Sequence, residues 1–239
     1  MIRDYIALDL ETSGLNPSSD KIIEIGMAKV LDGAVTDTYS MLLNPKERLS
    51  PRITQLTGIT DDMVSTQPVI ADILEDIVAF IGEMPLLGHN IIFDYSFLKK
   101  ACVNQNISFE KMGIDTLKIA RRLLPEVEHK NLDCLCAHFH INPGNSHRAL
   151  DDALSAHQLY CRLQAVKPED EGFFKTLPLQ YAAKKDSPIT AAQKRYLTAL
   201  VTYHGVALTE EMDSLTKSRA SKLIDGIIAE YGKIPYQNR

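Results

Sequence analysis

The chain has 239 residues, 45% hydrophobic and 24% charged, a balance that excludes a disordered or fibrous protein and bounds the molecule at one or two domains. Lys and Arg number 26 against 31 Asp and Glu, a net charge of −5, which excludes the basic body of a protein that coats nucleic acid but leaves room for a local site. No apolar run approaches the roughly 18 residues that span a bilayer, and Asp4, Asp9 and Glu11 interrupt any secretory signal, so the expectation is a soluble cytoplasmic protein, without a membrane partner, whose Cys102, Cys134, Cys136 and Cys161 are reduced.

Tyr5 to Glu11 alternates in a β-rich run before the turn signal Ser13-Gly14-Leu15-Asn16-Pro17, which predicts a strand. Ile22 to Val30 and Thr36 to Leu43 flank Asp32-Gly33, a hairpin dipeptide, so the first three strands form a meander. Ile70, Ile73, Leu74, Ile77, Val78 and Ile81 follow helical spacing after Pro68. A short strand at Pro85 to Gly88 comes next, then a helix through Phe97, Leu98, Ala101 and Cys102. Gly113 to Thr116 leads into a helix at 117–124, Leu132, Leu135 and Phe139 mark another, and Ala149, Ala153, Ala156 and Tyr160 mark a third. A meander followed by strands alternating with helices predicts an α/β domain with a mixed sheet of about five strands.

Residues 1–165 hold 15 Lys and Arg against 22 Asp and Glu, while 166–239 hold 11 against 9. The shift coincides with a proline- and glycine-punctuated stretch, so 166–188 is expected to be a linker and 189–239 a small module. That module reads as a helical hairpin, with Tyr196, Leu197, Leu200 and Val201 on one face before Gly205, and Ala220, Leu223, Ile224, Ile227, Ile228 and Tyr231 on another before Gly232. Lys184, Lys185, Lys194, Arg195, Lys217, Arg219 and Lys222 suit an accessory phosphate contact, with Tyr196 and Tyr203 for stacking. Glu210, Glu211 and Asp213 nearby favour a solvated face or a docking module for a replication or repair partner.

Three clusters carry chemistry. Alternation along the first strand puts Ala7, Asp9 and Glu11 on one face, with the Cα atoms of the two acids about 7 Å apart. They repel and raise each other's pKa unless a cation lies between them, although by themselves they equally suit the solvent face of an edge strand. The second cluster is Gly88-His89-Asn90-Ile91-Ile92-Phe93-Asp94, at a strand end where α/β sites are built. It also suits an ordinary helix cap, with Phe93 in the core. In the third, His147 and Asp152 would lie about 140° apart if both were helical. They converge only if His147 sits on the loop after Pro143-Gly144-Asn145-Ser146 and turns back over the first helical turn, while Asp151 reads as a favourable charge near a helix start.

In order and spacing these clusters resemble the three motifs of the DEDDh exonucleases, the family of the proofreading ε subunit of bacterial DNA polymerase III. Asp9-x-Glu11-Thr12-Ser13-Gly14 resembles the first motif, His89-Asn90-x-x-Phe93-Asp94 the second, and His147-x-x-x-x-Asp152 the third. Leu56-Thr57-Gly58-Ile59-Thr60 and Ile114-Asp115-Thr116-Leu117 look like connecting segments of the exonuclease domain inside Gram-positive replicative polymerases. Ser13 stands where the family often has threonine, a harmless departure, while Thr57 stands where the ε-type branch usually has histidine, which implies a changed hold on the terminal nucleotide. No polymerase follows, so a free-standing exonuclease or a subunit is expected.

The resemblance implies a ribonuclease H-like α/β fold and a 3′→5′ exonuclease releasing nucleoside 5′-monophosphates from single-stranded or frayed 3′ ends of DNA. An RNA-trimming enzyme and a non-catalytic module of a replication or repair complex are the alternatives. It implies two ions, Mg²⁺ or Mn²⁺, held by Asp9, Glu11, Asp94 and Asp152, which suits hard oxygen donors. His147 is the candidate general base. Thr12 and Leu15 would contact the terminal nucleotide, with Asn90 and Phe93 as further candidate substrate contacts. Cys134-x-Cys136-x-His138-x-His140 lacks the usual zinc-ligand spacing and is expected to decorate a helix.

Overall fold

The computed structural model describes residues 2–145, 147–168, 172, 174–208 and 210–235. Ser146, in the loop expected to carry His147, and Glu169, Asp170 and Glu171, in the expected linker, lie outside the described residues, as do 236–239 of the C-terminal module.

The meander forms as expected: β1 (Tyr5–Thr12), β2 (Ile22–Leu31) and β3 (Ala34–Leu42) pair antiparallel. Asp32 and Gly33 turn the second hairpin with φ of 49° and 79°, the left-handed pair that a two-residue turn of this hand requires. Two short helices follow, α1 (Pro51–Thr57) and α2 (Asp61–Ser65), capped by the side chains of Ser50 and Thr60. The spacing gave no sign of either, because 7 and 5 residues are too few to establish a helical period. The amphipathic α3 (Ile70–Ile81) leads to β4 (Leu86–Gly88), α4 (Ile92–Asn104) and β5 (Met112–Asp115). Then come α5 (Thr116–Leu123), α6 (Leu132–His138) and α7 (Ala149–Val166).

The sheet order is β3-β2-β1-β4-β5-β6, with β1, β4 and β5 parallel. The sixth strand, β6 (Leu177–Pro178), pairs antiparallel with Met112 and Gly113 at the sheet edge. It adds one to the expected five and lies in the stretch read as a linker, where two residues show no periodicity.

Strand β1 is flanked by β2 and β4, so Asp9 and Glu11 do not lie on an edge strand. Its alternation separates two cores. Ile6, Leu8 and Leu10 pack with residues of α3 and α4 such as Leu74, Ile77 and Leu98. Tyr5 and Ala7 pack with Ala153, Ala156 and Tyr160 of α7 and with Ile119 and Ala120 of α5. The carboxylates therefore share the face that α7 covers. Helix α7 approaches the sheet closely at its N-terminus, where a Cβ on Gly26 would fall 2.1 Å from the backbone of Ala149 and Leu150.

The C-terminal residues form α8 (Ala191–His204), opened by a Thr190–Gln193 capping box, a 3₁₀ turn at Met212–Ser214, and α9 (Lys217–Tyr231). Leu197, Leu200, Leu215, Ile224 and Ile227 make a small core between the two helices.

Candidate active site

The parallel strands β1, β4 and β5 end on one rim, the position where open α/β sheets present their chemistry. Asp9 and Glu11 come from the end of β1, Asp94 from the first turn of α4 after β4, and Asp152 from the first turn of α7. The Asp94 carboxylate accepts the Leu10 backbone N–H at 3.0 Å, tying the second cluster to the first. His147 is not helical. It sits in a turn with φ 64°, and its backbone N–H donates to Asp152 Oδ2 at 3.1 Å. The chain thus turns back over the helix start as the loop composition suggested.

Donor atoms of Glu11, His147 and Asp152 lie within 4.8 Å of one another. The site is a field of mutual repulsion. Burial pushes the Asp9 carboxyl well above its usual range, and the charges of Asp94, Asp152 and Glu11 push it further. Asp94 is raised for the same first reason, against hydrogen bonds that oppose it. Burial, then Asp152 and Glu24, lift Glu11 to about 7; burial lifts Asp152 to about 6. Crowded, half-desolvated carboxylates with raised pKa values are the state a hard divalent cation relieves. The donor set, oxygen with one imidazole, fits Mg²⁺ or Mn²⁺.

Two residues without a sequence signal, Glu24 and Arg148, support this arrangement. Glu24 of β2 stands opposite Glu11 in the strand register. Its carboxylate accepts Arg148 Nη2 at 2.8 Å, Arg148 Nε at 3.0 Å and the Ala149 N–H at 3.2 Å. Arg148 is the residue before α7, so this fork fixes the start of the helix that carries Asp152. Bidentate pairing of this kind is among the stronger polar contacts.

The other residues singled out in the sequence make local contacts of their own. The Thr12 hydroxyl donates to the Gly14 carbonyl at 2.7 Å within its own loop. Leu15, at the loop apex, is 83% exposed. Asn90 is exposed, in a left-handed turn with φ 68°, and its N–H donates to Asp115 Oδ1 at 3.1 Å. Phe93 is half-buried against Phe97, ring centroids 5.1 Å apart. His89 is held on both sides, Nδ1 2.9 Å from Thr116 Oγ1 and Nε2 2.8 Å from the Lys130 carbonyl. The Thr57 hydroxyl closes α1 by donating to the Ile53 carbonyl at 3.0 Å and accepting the Ile59 N–H at 3.1 Å. Cys136 is buried in α6 and Cys134 half-buried, and among the described residues neither joins a cluster of possible metal ligands.

A mixed sheet whose central strand and two helix starts deliver four carboxylates and a histidine to one rim defines a ribonuclease H-like nuclease architecture. The RNase T exonuclease family model matches residues 6–160, and the chain belongs to that exonuclease family. It is 36% identical over 185 residues to the PolC-type DNA polymerase III of Clostridium perfringens, a match covering 77% of this chain and 13% of that protein. With the PolC-type enzyme of Bacillus subtilis it shares 39% identity over 151 residues, 62% of this chain and 10% of that one. The chain therefore spans only about an eighth of the length of these relatives. Among solved structures, exonuclease X in complex with 5′-overhanging duplex DNA superposes with a TM-score of 0.57 at 27% identity, covering 71% of this chain and 96% of that one. The nuclease domain of 3′hExo, a DEDDh member bound to rAMP, superposes with a TM-score of 0.61 at 19% identity, covering 74% and 98%, a likeness of fold. Among the described residues no helix is long and apolar enough to cross a membrane.

Proposed function

We propose that the chain hydrolyses phosphodiesters at single-stranded or frayed 3′ ends of DNA, in the 3′→5′ direction, releasing nucleoside 5′-monophosphates in a proofreading or repair setting. The observation that carries this reading is the convergence of Asp9, Glu11, Asp94 and Asp152 on one rim with raised carboxyl pKa values and His147 beside them. The likeness to exonuclease X, solved with overhanging DNA, and to PolC-type polymerases supports DNA as substrate. Residues 1–165 would form the exonuclease domain and 189–239 the accessory module. A cytoplasmic setting suits four cysteines that are all free thiols.

In this mechanism Asp9, Glu11, Asp94 and Asp152 would hold two divalent ions, Mg²⁺ or Mn²⁺. Bound divalent ions neutralise the charge that develops on the attacking and leaving oxygens of the phosphodiester. His147 accepts one proton of the attacking water, whose oxygen bonds to phosphorus as the bond to the 3′ oxygen of the penultimate nucleotide breaks; that oxygen takes a proton from solvent and leaves as the new 3′ hydroxyl, and His147 later returns its own proton to solvent. The left-handed turn at His147 and its backbone bond to Asp152 hold the imidazole over the start of α7. Leu15 packs on the terminal nucleotide, and Asn90 faces the scissile phosphate.

An exoribonuclease is the second reading, and the fold neighbour bound to rAMP is what favours it. Matched DNA and RNA oligonucleotides, with free and 3′-phosphorylated ends, separate the two. The DNA reading predicts faster cleavage of DNA from a free 3′ hydroxyl. Preferred cleavage of RNA would overturn it, since that preference needs contacts to the 2′ hydroxyl.

A further inference from the structure

Several of the cations that suited a phosphate contact are engaged within the chain. Lys194 pairs with Asp213, Arg219 with Glu47 and Glu210, and Lys222 with Asp20. Two of these tie α9 to the exonuclease body rather than to a ligand, and both reach the same loop. Arg219 Nη1 lies 2.9 Å from Glu47 Oε2, with the two side chains 13% and 3% exposed. The other Glu47 oxygen accepts the Ser13 hydroxyl at 2.6 Å. Lys222 pairs with Asp20, whose carboxylate also accepts the Asn16 N–H at 2.8 Å.

Ser13 and Asp20 bound the loop that leaves Glu11 and Thr12. The Lys21 N–H donates to Ser13 Oγ at 2.9 Å and the Ser13 N–H to the Lys21 carbonyl at 2.8 Å, closing the loop at its neck. The strand register already slips between Glu11 and Thr12, so the β-ladder alone does not set the loop's place. Exposed ion pairs contribute little, but here the acids are buried, and a buried carboxylate has few alternative positions once its partner is fixed.

We infer that α9 is a strut for the loop that grips the terminal nucleotide, with Arg219 acting through Glu47 on Ser13 and Lys222 acting through Asp20, so that together they set where Leu15 stands relative to Glu11. This rests on the exonuclease reading for the loop's task, while the strut itself is a property of the chain. Arg219 and Lys222 are positioning residues: neither contacts the site carboxylates, and both act through the loop.

The test uses the full chain and its Arg219→Gln and Lys222→Gln variants, with the Glu47→Gln/Arg219→Gln double variant added because it removes the buried Glu47 charge together with its cation. Hydrogen exchange at amides 13–20 is expected to be about tenfold faster in the variants while β1 and β2 keep their protection. With Mn²⁺ present, KM for a DNA trinucleotide should rise about threefold to thirtyfold, with kcat held within about twofold. Hydrolysis of bis(p-nitrophenyl) phosphate, which has no nucleoside to grip, should be unchanged. In a Leu15→Ala background the Arg219→Gln change should add nothing to KM, because the residue it positions is gone. Unchanged exchange at 13–20, or KM effects of Leu15→Ala and Arg219→Gln that simply multiply, would overturn the inference. If the wild type cleaves neither substrate, the exonuclease reading fails separately, and the exchange rates still decide the strut.

Discussion

Glu24 and Arg148, 124 residues apart in sequence, form a forked ion pair that joins the second strand to the start of α7. Glu24 is opposite Glu11 and Arg148 is next to His147, so one contact sets the spacing between the first and third clusters of the site. Replacing Glu24 by Gln weakens the fork, and the expected loss is about 1–3 kcal/mol of stability. Nuclease turnover should fall by on the order of tenfold or more, because small misplacements of catalytic groups are costly. Thermal melting and single-turnover cleavage check both; a stable, fully active Glu24→Gln would show that β2 does not position α7.

Gly26 predicts a steric version of the same dependence. A methyl group there meets the Ala149–Leu150 backbone at 2.1 Å, and backbone cannot swing aside as a flexible side chain can. Gly26→Ala should cost about 1–3 kcal/mol and displace the start of α7, lowering the melting temperature and the activity together.

The raised carboxyl groups give a pH dependence of defined sign. In the metal-free chain Glu11 at about 7 and Asp152 at about 6 hold protons that the unfolded chain has already lost. Stability therefore falls as pH rises through the range from about 4 to about 7. Divalent ions bind the ionised form, so Mn²⁺ should raise the melting temperature more at pH 8 than at pH 5. At saturation the rise should be about 5 °C or more. An equal rise at both pH values would argue against ion binding at these carboxylates.

His147 reaches the same donor cluster as Glu11 and Asp152, and a base and a ligand at that position predict different variants. As the base, His147→Ala should lose about 10²–10⁴ in kcat while retaining the stabilisation by Mn²⁺. Loss of that stabilisation in the variant would identify the imidazole as a metal ligand instead.

What was legible in the sequence was local. The alternation along β1 exposed Asp9 and Glu11 as one face, and the composition before His147 announced a turn that could carry it back over Asp152. The meander and α3 were legible because a period of two or of 3.6 repeats several times within each. Glu24, Arg148 and Glu47 carried no signal, since their partners lie far along the chain and an isolated charge looks like any solvated one. Helices α1 and α2 and strand β6 escaped because they are shorter than the period needed to detect them. The basic character of the C-terminal residues was legible, but the engagement of Lys194, Arg219 and Lys222 with acids of the same chain was not.

The most direct measurement is product release from a 5′-labelled single-stranded DNA by the wild type with Mn²⁺, by the wild type with EDTA, and by Asp9→Ala with Mn²⁺. The account predicts a ladder that shortens from the 3′ end with nucleoside 5′-monophosphate as product, seen with Mn²⁺ and lost both with EDTA and in the variant. A ladder that persists in Asp9→Ala, or no cleavage by the wild type under any of these conditions, would contradict it.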